Sequence, residues 1–282
     1  MFELDRQCYY RKINRSKERK CIASKVVELV KQIRSVQKRL GTRKLYYLQK
    51  MELNELKVGR DKFFDILRAN HLLIQPKRSY HITTDSHHRF RKHPNIIKEI
   101  EINRPNQVWV SDITYIGKRE KPCYLSLITD AYSKKIVGFE VSNTMCTSNV
   151  IQALHKAQKQ RKTKNLLIHH SDRGLQYCSD EYQLYLKKYK IKCSMTENSD
   201  PYENAIAERI NGILKQEFMI DTYHLELSLM KKIVAEAICV YNQDRPHWSN
   251  HMLTPNQMHQ KENLKFRTYK RKNSSNIEAT TV

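Results

Sequence analysis

The stretch QVWVSDITYI (residues 107–116) sets one carboxylate, Asp112, among Val108, Val110, Ile113 and Ile116. β-Branched and aromatic residues fit a pleated, half-buried surface, so these ten positions predict a strand. A carboxylate in the middle of such a strand is costly to bury unless something compensates its charge. Asp112 therefore asks for a cation.

Downstream, YLSLITDA (124–131) and KIVGFEV (135–141) have the same character and follow after short polar connections. Three consecutive strands predict an antiparallel meander. A helix over 147–161, a strand over 165–170 (NLLIHH), a helix over 180–189 and a strand over 191–195 come next. Alternation of strand and helix favours parallel pairing onto the same sheet. In YENAIAERINGILKQEF (202–218), Ala205, Ile206, Ile210, Ile213, Leu214 and Phe218 form the apolar side of a helix, and a further helix is expected over 227–241.

Upstream, Val26, Val27, Val30, Ile33, Val36 and Leu40 recur at helical spacing over 24–40, with Gly41 as a stop. A second helix is expected over 44–56. A third starts near Asp61, the expected N-cap, after the tight turn Val58-Gly59-Arg60. This order is that of a helix-turn-helix. Spacing alone suits a small basic helical bundle as well as a DNA reader, and the charge favours DNA. Of the formal +23, residues 1–100 carry +15 and residues 101–282 carry +8. Such an excess points to a polyanion, with nucleic acid first. On the third helix Arg60, Lys62 and Arg68 are the candidates for phosphates or base edges.

Residues 76–104 lose the apolar period and gather Lys, Arg and His, as a basic linker would. His81, His87, His88 and His93 lack a nearby cysteine pair to complete a zinc site and read as solvated or phosphate-facing. The seven cysteines are scattered, with no C-x-x-C pair, and are expected as free, mostly buried thiols. No apolar run approaches the roughly 18 residues of a spanning helix, and the start MFELD lacks a signal peptide's apolar stretch. No membrane partner and a cytoplasmic protein are the expectation. The organisation expected is a helical DNA-binding region over 1–75, the linker over 76–104, a core over 105–261 and a mobile tail over 262–282.

Two further acids stand out: Asp172 just past a strand end and Glu208 inside a helix. Two divalent ions roughly 3.5–4 Å apart activate an attacking oxygen and stabilise a leaving one in phosphoryl transfer. Hard Mg2+ prefers oxygen ligands. Asp112 would bridge two ions, with Asp172 and Glu208 each completing one side. A helix glutamate is ordinarily solvated and Asp172 could cap a loop, so their context has to decide.

That context reads NQVWVSDITYI (106–116), HHSDRGLQYCS (169–179) and ENAIAERINGILKQEF (203–218), with 35 residues between Asp172 and Glu208. YNQDRPH (241–247) and LTPNQM (253–258) follow. Together the blocks resemble the OrfB-type catalytic subunits of the IS-three insertion-sequence transposases, relatives of retroviral integrases, whose superfamily hallmark is Asp-Asp-(35)-Glu. The resemblance covers residues 105–260 strongly and VGRDKFFDILRANHLLIQPKR (58–78) more loosely. It implies a ribonuclease-H-like α/β core, a five-stranded mixed sheet with flanking helices, preceded by a small helical domain. Asp112, Asp172 and Glu208 would be the catalytic and metal-holding residues, with two Mg2+ ions, Mn2+ as a substitute, and endonuclease and polynucleotidyl transferase activity.

Cleavage at a terminal inverted repeat would free a 3′-OH that attacks another phosphodiester. DNA, as element ends and target, would be bound by a multimer, with an upstream OrfA-type subunit or fusion as partner. Gly212 and Lys215 share a helix face with Glu208; glycine admits a DNA backbone, and Lys215 would neutralise a phosphate or be an ordinary exposed lysine. Arg173, in the turn after Asp172, is a further DNA candidate. Of His169 and His170, one is expected in the core and one toward the site, while Trp109 and Tyr115 read as core or platform. MTENSDPYENA (195–205) and HWSNHMLTP (247–255) depart from the family pattern without touching the acids. A nuclease that cuts without joining, and a DNA-binding module with a decayed core, are the rivals; the presence of all three acids weighs against the second.

Overall fold

A computed structural model describes residues 6–75, 93–117, 122–197 and 204–267. Its centre is a five-stranded sheet of β1 (Val108–Ile116), β2 (Cys123–Asp130), β3 (Ile136–Ser142), β4 (Leu167–Ser171) and β5 (Ile191–Met195) in the order β3-β2-β1-β4-β5. β1 to β3 form the antiparallel meander, and β4 and β5 join parallel to β1. This is the mixed five-stranded sheet expected, with every strand within two residues of its expected limits.

Period-two alternation divides the core between the two faces. Leu127 and Ile136 join Ile210, Leu214, Val234 and Tyr241 from α8 (Ala205–Glu217) and α9 (Leu227–Asp244). Their neighbours Ile128 and Val137 join Val150, Leu154, Tyr182 and Leu186 from α5 (Thr147–Gln160) and α7 (Asp180–Lys188). Between these lies the short α6 (Leu175–Cys178). At Gly138 on β3 a Cβ would stand 2.3 Å from the Ala153 carbonyl oxygen, so only glycine lets α5 lie this close to the sheet.

The amino-terminal helices are α1 (Arg6–Val36), α2 (Thr42–Leu48), α3 (Lys50–Glu55) and α4 (Arg60–Ala69), closed around Val30, Leu40, Leu45, Leu53, Phe63 and Leu67. Four expectations are corrected here. The first helix begins eighteen residues early, because Arg6–Ala23 is polar on almost every side and shows no apolar period. Gly41 is the N-cap of α2 rather than a stop, and the expected second helix breaks at Gln49 into α2 and α3. Asp61 lies in the first turn of α4, whose N-cap is Gly59.

Part of the expected linker is packed against the sheet. Residues 76–92, with His81, His87 and His88, lie outside the described residues, but Ile96, Ile97, Ile100 and Ile102 pack on Val108, Val110 and Ile168. The Asn95 and Ile96 amides donate to Glu197 Oε1 and Ser194 Oγ beside β5. At the other end, α10 (Pro255–Met258) is closed by a Thr254 capping box. Part of the tail expected to be mobile is docked: the Asn263, Leu264 and Arg267 amides donate to Asn103 O, Tyr132 Oη and Ser249 O. Residues 268–282 lie outside the described residues. All seven cysteines are free as expected, yet only Cys123 and Cys178 are buried; Cys8, Cys21, Cys146 and Cys239 are exposed. No helix among the described residues is long and apolar enough to cross a membrane.

Candidate active site

β1 and β4 run parallel with Val110 opposite His170, so Asp112 and Asp172 stand two positions further along neighbouring chains. In open α/β sheets the carboxyl ends of parallel strands form the crevice where ligands bind. The third acid arrives on α8, which crosses β1 with Glu208 in its first turn. Asn211, one turn on, donates from Nδ2 to Asp112 Oδ2 at 2.8 Å, and Asn204 donates to the Ser111 carbonyl at 3.2 Å. These two bonds fasten the glutamate helix to the strand of the first aspartate.

Asp112 is half-buried, and its Oδ1 accepts the Ile113 N–H at 2.9 Å. Burial first, then the charge of Asp172 and more weakly that of Glu208, push its carboxyl up to about 7 against the Asn211 and Ile113 hydrogen bonds. Glu208 is exposed, yet its carboxyl is raised by desolvation and by Asp172. The three acids therefore share one field. Asp172 Oδ1 accepts the Gly174 N–H at 3.1 Å, and a Cβ on Gly174 would lie 3.1 Å from that same oxygen. Glycine at 174 thus keeps the second carboxylate in place without crowding it.

Other expected residues divide. Lys215 is half-buried, its Nζ 5.5 Å from the centre of the Tyr115 ring; burial lowers its pKa while Asp221 and Asp112 oppose that fall. Tyr115 is thus a platform for Lys215. Trp109 is fully buried, its Nε1 donating to Asn106 Oδ1 at 3.1 Å. Arg173 is half-buried in the turn after Asp172. Arg60, Lys62 and Arg68 are exposed on α4, in the amino-terminal cluster and not beside the acids, with Arg60 paired to Asp61 and Arg68 to Asp65. A Cβ on Gly212 would meet nothing within 4 Å.

The histidine expectation is half wrong. Both rings are fully buried: His169 Nε2 meets Tyr182 Oη at 3.0 Å, and His170 Nδ1 meets Ser194 Oγ at 2.8 Å. Burial, then His170, pushes His169 down to about 3, so its ring is neutral. Both lie in the core, because the strand they occupy is covered on one face by α7 and on the other by the segment around Ile96. Sequence reasoning passed over Asn211, although its i+3 spacing from Glu208 puts it on an adjoining face of the helix.

Three carboxylates on a dense positive chain are a donor set for hard divalent cations. Among the described residues no three His, Cys, Asp or Glu side chains stand close enough to hold an ion as they are. The upward pull on Asp112 comes from burial, Asp172 and Glu208, and that on Glu208 from burial and Asp172.

Comparison with known proteins agrees with this architecture. Two integrase core domain profiles match, over residues 102–201 and 189–255. The insertion element IS600 uncharacterized 31 kDa protein of Shigella sonnei is 32% identical over 209 residues, covering 73% of this chain and 76% of that protein. Transposase InsF for insertion sequence IS3A of Escherichia coli is 35% identical over 158 residues, covering 56% of this chain and 55% of that protein, so the chain matches about half of its length. The HTLV-2 integrase catalytic core domain, solved in complex with magnesium, aligns with a TM-score of 0.45 at 22% identity over 55% of this chain and 97% of that one. By its integrase core and by relatives of this identity and extent, the chain belongs to the IS3-type insertion-sequence transposases, a family of DNA transposition.

Proposed function

We propose that this chain cuts and joins DNA at the ends of an insertion sequence, with Asp112, Asp172 and Glu208 as its catalytic carboxylates. The observation that carries the reading is the placement of the acids: the parallel register of β1 and β4 sets Asp112 and Asp172 at matching positions on neighbouring chains, and the Asn211 bond to Asp112 ties down the helix that carries Glu208. These residues would hold Mg2+, which when bound supplies Lewis-acid activation of the attacking oxygen and charge stabilisation of the leaving one. Mn2+ is the expected substitute.

The chain's own residues do the placing. Asn211 and the Ile113 N–H orient the Asp112 carboxylate, and the Gly174 N–H orients that of Asp172. Lys215 and Arg173 would meet phosphates flanking the scissile bond, while Arg60, Lys62 and Arg68 on α4 would hold the duplex further out. In the first step water adds to phosphorus and the 3′-oxygen leaves as a hydroxyl. In the second, that hydroxyl attacks another phosphodiester, one P–O bond forming as one breaks. A multimer assembled on element ends and target, with an OrfA-type partner or fusion supplying end recognition, completes the proposal.

The test is incubation with Mg2+ and a labelled terminal inverted repeat. Nicked ends together with joined products support the reading. Fragments with no joined product would assign a nuclease instead, and unchanged products from Asp112→Asn would refute the site.

A further inference from the structure

The closing block YNQDRPH has no part in the chemistry described so far, yet its Arg245 is among the largest fully buried side chains of the protein. Its Nε and NH2 both donate to the Glu217 carboxylate at 2.8 Å, the two-pronged geometry that guanidinium matches and ammonium cannot. NH1 donates to His247 Nε2 at 2.8 Å, which requires a neutral ring; burial, then Arg245, hold His247 well below its ordinary pKa. The Tyr241 ring lies 5.7 Å from the guanidinium, and its hydroxyl donates to the Lys134 carbonyl at 2.7 Å.

Glu217 is the last residue of α8, the helix that carries Glu208. Its carboxylate also accepts from Lys44 of α2 at 2.9 Å, and its carbonyl accepts the Arg39 N–H at 3.0 Å. Lys38 donates to the Tyr223 hydroxyl just beyond. Burial raises the Glu217 carboxyl, but Arg245 and Lys44 overcome this and hold it at about 2, so it stays charged. One carboxylate thus ties together the catalytic helix, the closing block and the amino-terminal helices. It stands nine residues from Glu208, roughly 13–14 Å along a rigid helix at 1.5 Å per residue.

We propose that Glu217, clamped by Arg245 and Lys44, is a positioning residue that fixes the setting of α8 and with it the placement of Glu208 and Lys215 against Asp112. A residue that only added stability would need no directional two-pronged partner, since a buried ion pair is commonly replaced by apolar residues at no loss of stability. Lys44 extends the device: movement of the amino-terminal helices on DNA would be felt at the end of the helix that completes the active site.

The inference rests on the transposase reading for its consequence but not for its test. The full chain would be prepared as wild type, Glu217→Gln, Arg245→Lys and the apolar trio Lys44→Met, Glu217→Met and Arg245→Met, which leaves none of the three charges unpaired. Hydrogen exchange of the α8 amides near Glu208 would be compared with that of β1 amides. The apolar trio should melt close to wild type yet exchange about tenfold faster across 208–213 with β1 unchanged, a local opening rather than a global one. On a labelled inverted-repeat end it should cleave at least tenfold more slowly, as should Arg245→Lys. Wild-type exchange in α8 of a stable apolar trio would overturn the positioning role, whether or not the wild type cleaves. Wild-type cleavage by that trio would overturn it equally. Failure of the wild type itself to cleave, with the exchange result as expected, would count against the transposase reading alone.

Discussion

Asp112→Asn should make the protein dead and, without metal, more stable. The Asp112 carboxyl is raised from 3.8 to about 7 by burial and by Asp172, so the folded state holds its proton more tightly than the unfolded state does. Below pH 3.8 both states are protonated and the group is neutral to stability. Between pH 3.8 and 7 the unfolded chain ionises while the folded one resists, so stability falls as pH rises, and above 7 the loss is complete. At about 1.4 kcal/mol per unit the full shift corresponds to about 4 kcal/mol, which partial exposure and screening reduce to roughly 2 kcal/mol. The amide is accommodated because Asn211 has a buried Oδ1 without a hydrogen-bond partner. Turning the Asn211 side chain over offers that oxygen to the new N–H.

In EDTA at pH 8 the variant should therefore melt about 4–8 °C above wild type, taking 2–4 °C per kcal/mol for a domain of this size. At pH 4 the two curves should converge. Adding Mg2+ should raise the melting temperature of wild type and leave the variant where it was, because bound ligand stabilises only the state that binds it. A variant no more stable than wild type at pH 8 would refute the argument that Asp112 is held against an unfavourable field. Retained cleavage would refute its catalytic assignment.

Gly138→Ala should be strongly destabilised, by about 3 kcal/mol or more, since its Cβ falls 2.3 Å from the Ala153 carbonyl oxygen; denaturant titration measures this. Gly212→Ala, whose Cβ meets nothing, should gain up to about 1 kcal/mol in the same titration while weakening binding to an inverted-repeat duplex, because DNA is what the glycine leaves room for. Lys215→Ala should weaken binding to all sequences alike and lower the salt dependence by about one phosphate contact in a fluorescence titration. Neutralising Arg60, Lys62 and Arg68 together should lower that slope further without altering the metal-dependent rise in melting temperature; an unchanged slope would remove α4 from the DNA interface.

The strands were legible because β-branched and aromatic residues concentrate where a sheet is buried on both faces, and 107–116, 124–131 and 135–141 are such runs. Helix α8 was legible for the same reason, its apolar residues falling on one side. What escaped lacks a period. The front of α1 is polar nearly all round, and the isoleucines at 96, 97, 100 and 102 occupy irregular chain, where no spacing announces burial. His169 and His170 look alike in sequence because strand residues alternate faces, and only the sheet shows that both faces are covered. Asp112 was singled out as a carboxylate inside an apolar strand, and Asp172 and Glu208 by motif spacing, whereas Asn211 and the Glu217–Arg245 clamp depend on which helix lies over which strand.

Asp130 shows the limit of arguing from a buried carboxylate alone. It ends β2 after the apolar run LSLITD and is more deeply buried than Asp112, so the reasoning that asked for a cation at Asp112 applies to it with greater force. Yet the fold answers Asp130 internally. The Asn106 and Ser133 N–H groups and the Ser133 hydroxyl each donate to it at 2.7 Å, and His259 Nδ1 lies 3.7 Å away. Hydrogen bonds from donors fixed by the chain compensate a buried negative charge without an ion. Asp112 receives one main-chain N–H and one side-chain amide, and it faces two further acids instead of donors. The need for a cation is therefore set by the surplus of negative charge that the surrounding chain leaves unmet. By that measure Asp130 is a structural aspartate and Asp112 the one proposed for catalysis, three positions along β1 from the partner of Asp130, where the sequence presents both as acids in apolar strands.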